Sequence, residues 1–256
     1  MSITDKVTIV LVHGAWHGSW CWKFQIPMLE ALGYAVENVD LPCTSGVAGT
    51  TQFDDAAHVR SVVESLLDKG KRVVVLAHSY GGPIGSAALT GLSGKSNGLL
   101  LGLIALSAYI LPSGMDQGAV IRSIGGLPYV SWDTPSEGLF IAKDPTSLLF
   151  KPDVPADRIA WALTQLRPQS MAANMGIVPP QVWQDSTYTG QLGYIRCTAD
   201  VIIPLEQQDS MIKEAGGEGK WLVRTLEGSG HSPFLSRPDQ VAATVDEIIK
   251  QFEARL

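Results

Sequence analysis

The sequence predicts an α/β fold, with a mostly parallel central sheet, helices on both faces and one inserted, mainly helical segment. Three observations lead there. Short apolar runs alternate with helix-period stretches over residues 6–110 and again from residue 189 onward. The runs are dominated by Val, Leu and Ile, as in parallel strands buried on both faces. Residues 111–188 break the rhythm with Pro, Gly, Ser and Trp.

Taken in order, residues 7–12 form the first expected strand and lead into His13-Gly14. A helix is expected over 20–32, stopped by Gly33, then a strand over 35–39 ending at Asp40. Residues 54–69 carry Ala57, Val59, Val62, Val63, Leu66 and Leu67 at helical spacing. A strand over 72–77, a helix over 83–92 and a strand over 99–107 follow. The last third resumes with a strand over 192–198 and a helix over 204–215 that has Pro in its first turn. A strand over 221–226 comes next. The closing helix, 238–254, has the stripe Val241, Val245, Ile248, Ile249 and Phe252. The core is therefore assigned to 1–110 and 189–256, and 111–188 to a cap with short helices near 136–142 and 157–166. A long structureless loop would be out of place in a compact protein.

Composition narrows the function classes. The chain has 256 residues, 45% hydrophobic and 17% charged, which suits a single globular domain with an insertion. A net charge of −6 argues against a phosphate-backbone binder. The apolar run after MSITDKV is too short for a signal core or a membrane span, so the expected location is cytoplasmic. Cys21, Cys43 and Cys197 show neither zinc spacing nor a disulfide framework and are expected to be buried or half-buried.

The sharpest local signal is Val73-Val74-Val75-Leu76-Ala77-His78-Ser79-Tyr80-Gly81-Gly82. A β-run stops, a serine follows and a helix begins, which is the pattern of a nucleophile elbow with Ala77 where Gly is commonest. Small residues two places either side let the turn close and lift the serine hydroxyl above the strand end. Such a serine can also be a mere helix cap. Its place inside the βα alternation favours the nucleophile. Serine needs a base, and His231 in Gly228-Ser229-Gly230-His231-Ser232-Pro233 follows the last expected strand. His78 should point away from the Ser79 side chain, and His58 lies in a helix. Asp200 ends a strand among apolar residues, where a carboxylate is costly without a partner. It is the expected orienting acid, ahead of Asp209 and Asp185, and it gives the chain order Ser, Asp, His.

Residues His13-Gly14-Ala15-Trp16-His17-Gly18-Ser19-Trp20-Cys21-Trp22 follow the first strand. A loop here can aim a backbone N–H at a developing oxyanion. The alternative is a tight turn with tryptophans packing the helix, and the two are compatible. Together with Ala77-His78-Ser79-Tyr80-Gly81-Gly82, this loop resembles the α/β-hydrolase branch that contains plant methyl esterases and hydroxynitrile lyases, microbial homologues included. The resemblance spans nearly the whole chain and is least specific in the cap. It implies an α/β-hydrolase fold, a triad of Ser79, Asp200 and His231, and an oxyanion hole from the amides of Ala15 and Tyr80. The lyases carry Thr where Gly14 stands and Lys where Ser232 stands, so cyanogenic lyase chemistry is not expected. The methyl esterases often have Met at the position of Ser232.

The expected activity is hydrolysis of a small carboxylic ester, lactone or thioester through an acyl-enzyme. Two alternatives use the same site: a biosynthetic lyase, cyclase or condensing enzyme without net hydrolysis, or a slow or non-catalytic small-molecule-binding protein. Gly14, Trp16, Trp132, Phe140, Trp161 and Trp183 are candidate substrate contacts, although each aromatic also suits the packing of the cap. No cofactor or metal is expected. The expected partner is a small-molecule substrate, with no nucleic acid and no membrane, and a homodimer is left open.

Overall fold

A computed structural model describes residues 6–93, 96–123, 125–126, 130–131 and 136–255. Six strands, β1 (Thr8–Val12), β2 (Ala35–Val39), β3 (Val73–His78), β4 (Leu100–Leu106) and, beyond the insertion, two more, build the main sheet. The insertion carries α4 (Gln117–Ser123), β5 (Val130–Ser131), β6 (Leu139–Ala142), α5 (Ala156–Leu163), β7 (Gln169–Ser170) and α6 (Met171–Met175). The remaining sheet strands are β8 (Leu192–Cys197) and β9 (Trp221–Leu226). The spatial order is β2-β1-β3-β4-β8-β9, and every pairing is parallel.

Parallel neighbours need crossovers, which the helices supply. These are α1 (Gln25–Ala31), α2 (Gln52–Asp68), α3 (Gly81–Leu89), α7 (Leu205–Glu214), the single turn α8 (Pro233–Ser236) and α9 (Pro238–Glu253). α1 packs against α9, and α2 against α3. Strands β1, β3 and β4 are buried at every position, as the continuous apolar runs require. On α9 the stripe Val241, Val245, Ile248, Ile249 and Phe252 is wholly buried. Burying side chains of this size contributes roughly 1.5–3 kcal/mol each. The sheet order reverses direction between β1 and β3. That opens a crevice at the carboxyl ends of these strands, and the register Val12↔Ala77↔Ala105 brings the ends level.

Several boundaries differ from the sequence expectation for local reasons. The first helix opens as a 3-10 turn over Ser19–Phe24, and α1 then starts at Gln25 with Pro27 in its first turn, where no donor is needed. α2 starts at Gln52 because Thr51 caps it in a reciprocal box with Asp54. α3 starts at Gly81, directly after the elbow. The helix expected near 136–142 is instead strand β6: Gly138 sits at φ +78°, and the Leu-Phe-Ile run that follows is β-prone. It pairs antiparallel with β5 and β7 in a small second sheet. The insertion also holds a π-helical turn over Thr146–Phe150. No helix among the described residues is long and apolar enough to cross a membrane.

Candidate active site

β3 delivers Ser79 with φ +54°, in the left-handed region where a side chain is strained. The turn is held by what surrounds it. The Ser79 carbonyl accepts from Gly82 N–H at 3.0 Å and Tyr109 N–H at 3.2 Å. A Cβ on Gly81 would lie 2.6 Å from the His13 carbonyl oxygen, and one on Gly82 would lie 2.6 Å from that of Tyr109. Glycine at both places lets the start of α3 press against neighbouring backbone. The Ala77 methyl, where Gly is commoner, is accommodated because Gly85 opposite has no side chain; a Cβ there would sit 3.0 Å away.

Three loops meet above this turn. The Ser79 hydroxyl lies 3.0 Å from His231 Nε2, and His231 Nδ1 lies 2.6 Å from Asp200 Oδ2. The carboxylate accepts from Nδ1–H, which fixes the tautomer and leaves the Nε2 lone pair to accept the serine proton. Asp200 is saturated with donors. Oδ2 also accepts from the Ser107 hydroxyl at 2.5 Å, while Oδ1 accepts from the N–H groups of Ile202 and Ile203 at 2.7 and 3.0 Å. Burial would raise its pKa. The charge and hydrogen bond of His231, with Ser107 and the Ile203 N–H, outweigh burial and hold the carboxyl below the ordinary value. The Gln208 side chain braces this loop by bonding Cys197 N–H, Cys197 C=O and Ile203 C=O. The rivals are engaged elsewhere: Asp209 pairs with Arg196, and Asp185 caps the 3-10 turn Ser186–Tyr188.

Four imidazoles share the interior here. His78, expected to face away from the Ser79 side chain, donates from Nε2 to the His231 carbonyl at 2.8 Å, and the two rings are 4.6 Å apart. It thus supports the backbone of the base. His13 donates from Nδ1 to Gly14 C=O and accepts at Nε2 from Leu41 N–H, a pattern that only the neutral ring can make. His17 donates from Nδ1 to Ala15 C=O at 2.7 Å. Desolvation drives the pKa of His13 down to about 4 and that of His17 to about 3, and pushes His78 well below the ordinary value.

The candidate oxyanion donors lie at the ends of β1 and β3. β1 stops at Val12, and Tyr80 is the N-cap of α3, so neither the Ala15 nor the Tyr80 N–H belongs to a ladder or a helix. Neither amide has an intramolecular acceptor among the described residues. The Tyr80 side chain is anchored below, donating from its hydroxyl to Asp55 Oδ2 at 2.6 Å. Asp55 also accepts from Cys43 N–H, and burial raises its pKa despite these bonds. All three cysteines are buried and unpaired.

The candidate substrate contacts divide. Gly14 faces the elbow directly: a Cβ there would meet His78 Nδ1 at 2.8 Å and Ser79 Cβ at 2.9 Å. Trp16 is buried with Phe140 edge-on at 5.5 Å. Trp161 and Trp183 are partly buried and packed against the core. Trp161 packs edge-on against Trp20 and Phe24 with the Lys23 ammonium over its ring, and the Trp183 indole donates to the Leu111 carbonyl. Trp132 lies outside the described residues. Sequence reasoning missed Ser107, His78 as a support, and Gln208. Ser107 ends an expected strand beside the site, which was a usable signal, whereas Gln208 sits in an ordinary helix that gave none.

Comparison with known proteins agrees with this geometry. Residues 9–244 match the model of the alpha/beta hydrolase family. Methylesterase 1 of Arabidopsis thaliana is 28% identical over 96% of this chain and 97% of its own length. Methyl jasmonate esterase 1 of Vitis vinifera is 26% identical over 95% and 97%. The crystal structure of a methylesterase from Arabidopsis superposes with a TM-score of 0.71 at 21% identity, covering 95% of this chain and 99% of that one. With the sheet order, the strained serine turn and the aligned strand-end loops, the match identifies this chain as a member of the alpha/beta hydrolase family, a carboxylic-ester-hydrolase-like enzyme.

Proposed function

We propose that the chain hydrolyses small carboxylic esters through an acyl-enzyme on Ser79, with His231 as base, Asp200 as orienting acid and the amides of Ala15 and Tyr80 as the oxyanion hole. The observation that carries the reading is the unbroken line Ser79–His231–Asp200, at 3.0 and 2.6 Å, beside two unengaged backbone donors. Ser79 Oγ bonds to the ester carbon as its proton passes to His231 Nε2, and the carbonyl π pair moves to oxygen, where the two amides receive it. The tetrahedral species collapses, the bond to the leaving alcohol breaks, and Nε2 returns its proton to that alcohol. Water repeats the sequence on the acyl-enzyme and releases the acid. Residues 111–188 serve as a cap over the strand ends. The names of the relatives make methyl esters of small carboxylic acids the first compounds to try.

The test is labelling by a fluorophosphonate, read by intact mass, together with hydrolysis of a methyl-ester panel in oxygen-18 water. Wild type should gain one phosphonyl group and release acid carrying one solvent oxygen. Ser79→Ala should do neither, with kcat lower by about 10⁴–10⁶-fold. Folded wild type that resists the probe, or a Ser79→Ala variant of full activity, would overturn the assignment.

A further inference from the structure

One residue of the loop after β1 is gripped from three directions by the insertion. Trp16 follows Ala15 and sits at φ +61°, a conformation that a bulky side chain rarely adopts. Its N–H donates to Gln169 Oε1 at 3.0 Å. Its carbonyl accepts from Arg167 N–H at 2.8 Å. Its indole meets the edge of Phe140 at 5.5 Å. Phe140 and Gln169 are direct cross-strand partners of β6 and β7, and partners in a pair project to the same face. Gln169 is completely buried although polar, and its Nε2 donates to Asn174 Oδ1 at 3.4 Å.

We propose that Gln169 is a positioning residue for the oxyanion hole: by accepting the Trp16 N–H it holds the left-handed turn that aims the neighbouring Ala15 N–H at the reacting oxygen. The peptide plane between Ala15 and Trp16 carries the Trp16 N–H. The Ala15 N–H lies in the preceding peptide plane, whose Gly14 carbonyl accepts from His13 Nδ1 at 2.9 Å and from His17 N–H at 3.4 Å. Fixing the Trp16 N–H and carbonyl therefore holds the plane on the other side of the Ala15 Cα and limits how far that amide can swing. Strain at a non-glycine residue persists only where the surroundings over-determine it, and here the surroundings are two adjacent strands of the insertion. The consequence is that the small sheet β5-β6-β7 completes the catalytic constellation as well as covering it. The inference rests on the esterase reading above.

The experiment compares wild type with Gln169→Met, Gln169→Asn and Gln169→Glu. Turnover of p-nitrophenyl acetate is measured alongside the affinity of an aryl trifluoromethyl ketone, which forms an oxyanion on Ser79. Met fills the space without an acceptor, Asn is polar but too short to reach, and Glu keeps an acceptor at the same distance. For Met and Asn, kcat should fall by about 10–100-fold with KM within about threefold, and ketone affinity should weaken in step with kcat/KM. Glu should recover most of the rate. If Met prevents folding, Asn alone carries the same comparison. Met and Asn variants that fold and keep wild-type kcat overturn the clamp, as does a loss expressed wholly in KM or one that Glu does not relieve. Wild type inert toward both p-nitrophenyl acetate and a fluorophosphonate instead overturns the esterase reading, and the clamp's role with it.

Discussion

The two turns that would supply the oxyanion hole are held in opposite ways. The elbow after β3 is fixed from within the main sheet: glycines at 81 and 82 meet the backbone of neighbouring loops, and the Ser79 carbonyl is tied by two N–H groups. The loop after β1 closes on itself through one long backbone bond, His17 N–H to Gly14 C=O at 3.4 Å. It is held by imidazoles below, and by Gln169, Arg167 and Phe140 of the insertion. The same insertion reaches the third loop, where Asp153 accepts from Gly230 N–H at 3.1 Å and from Arg237 at 2.9 Å. Strand-end packing within the main sheet thus fixes Ser79, while the loops carrying Ala15 and His231 also take contacts from a distant segment.

Asp200→Asn should have the largest effect. The Asn amide would present a donor to His231 Nδ1, favour the other tautomer, and leave Nε2 carrying a proton it cannot exchange for that of Ser79. The expected fall in kcat is about 10⁴-fold, with the elbow intact and Ser79 still in place. A fall below tenfold would mean that Ser79 is not activated through His231. Gly14→Ala tests where the two turns touch. Its methyl would press on His78 Nδ1 and Ser79 Cβ at 2.8 and 2.9 Å, so one turn must yield. Stability should drop by about 1–3 kcal/mol and kcat by about 10–100-fold, read by thermal melting and steady-state kinetics. An unchanged melt and rate would show that the contact gives way freely.

The smallest effect is the pH dependence of stability set by the imidazoles under the β1 loop. Burial depresses the pKa of His13 to about 4 and of His17 to about 3, and lowers His78 as well. The unfolded chain binds these protons near pH 6.5, and the folded chain does not until far lower. Unfolding is therefore favoured as pH falls from about 6.5 toward 4, by about 1.4 kcal/mol per pH unit for each fully titrating proton. Asp55, whose pKa is raised, acts with the opposite sign, whereas Asp200, held below its ordinary value, adds to the direction of the imidazoles at lower pH, so the net direction is unchanged. Urea midpoints measured between pH 7.5 and 5 should fall with pH; a flat profile would mean that these rings are solvated.

Legibility in the sequence followed the same division. The sheet was readable because each buried parallel strand is written as a local apolar run, and Ser79, Asp200 and His231 stood out because each lies at or shortly after the end of an expected strand. Gln169 and Asp153 gave no signal, since their partners lie far away in sequence and the segment around them has no strong period. The helix expected near 136–142 failed for the same reason: a four-residue strand beside Gly138 takes its identity from β5 and β7. Trp161 and Trp183 were conspicuous by composition; the first packs edge-on against Trp20 and Phe24, and the second donates its indole N–H to the Leu111 carbonyl.

The position of β9 at the open edge of the sheet, bonded to β8 alone, bears on when activity can arise during synthesis. The chain through Asp200 carries the first five strands of the main sheet together with Ser79 and Asp200, and domains are made from the amino terminus onward. The proposed base, His231, enters only with the final crossover, on the loop that leaves β9 for α8 and α9. On the proposed triad, a nascent or truncated chain that stops short of this loop carries Ser79 without its base. On the proposed mechanism, full activity therefore waits for the residues that follow the last strand.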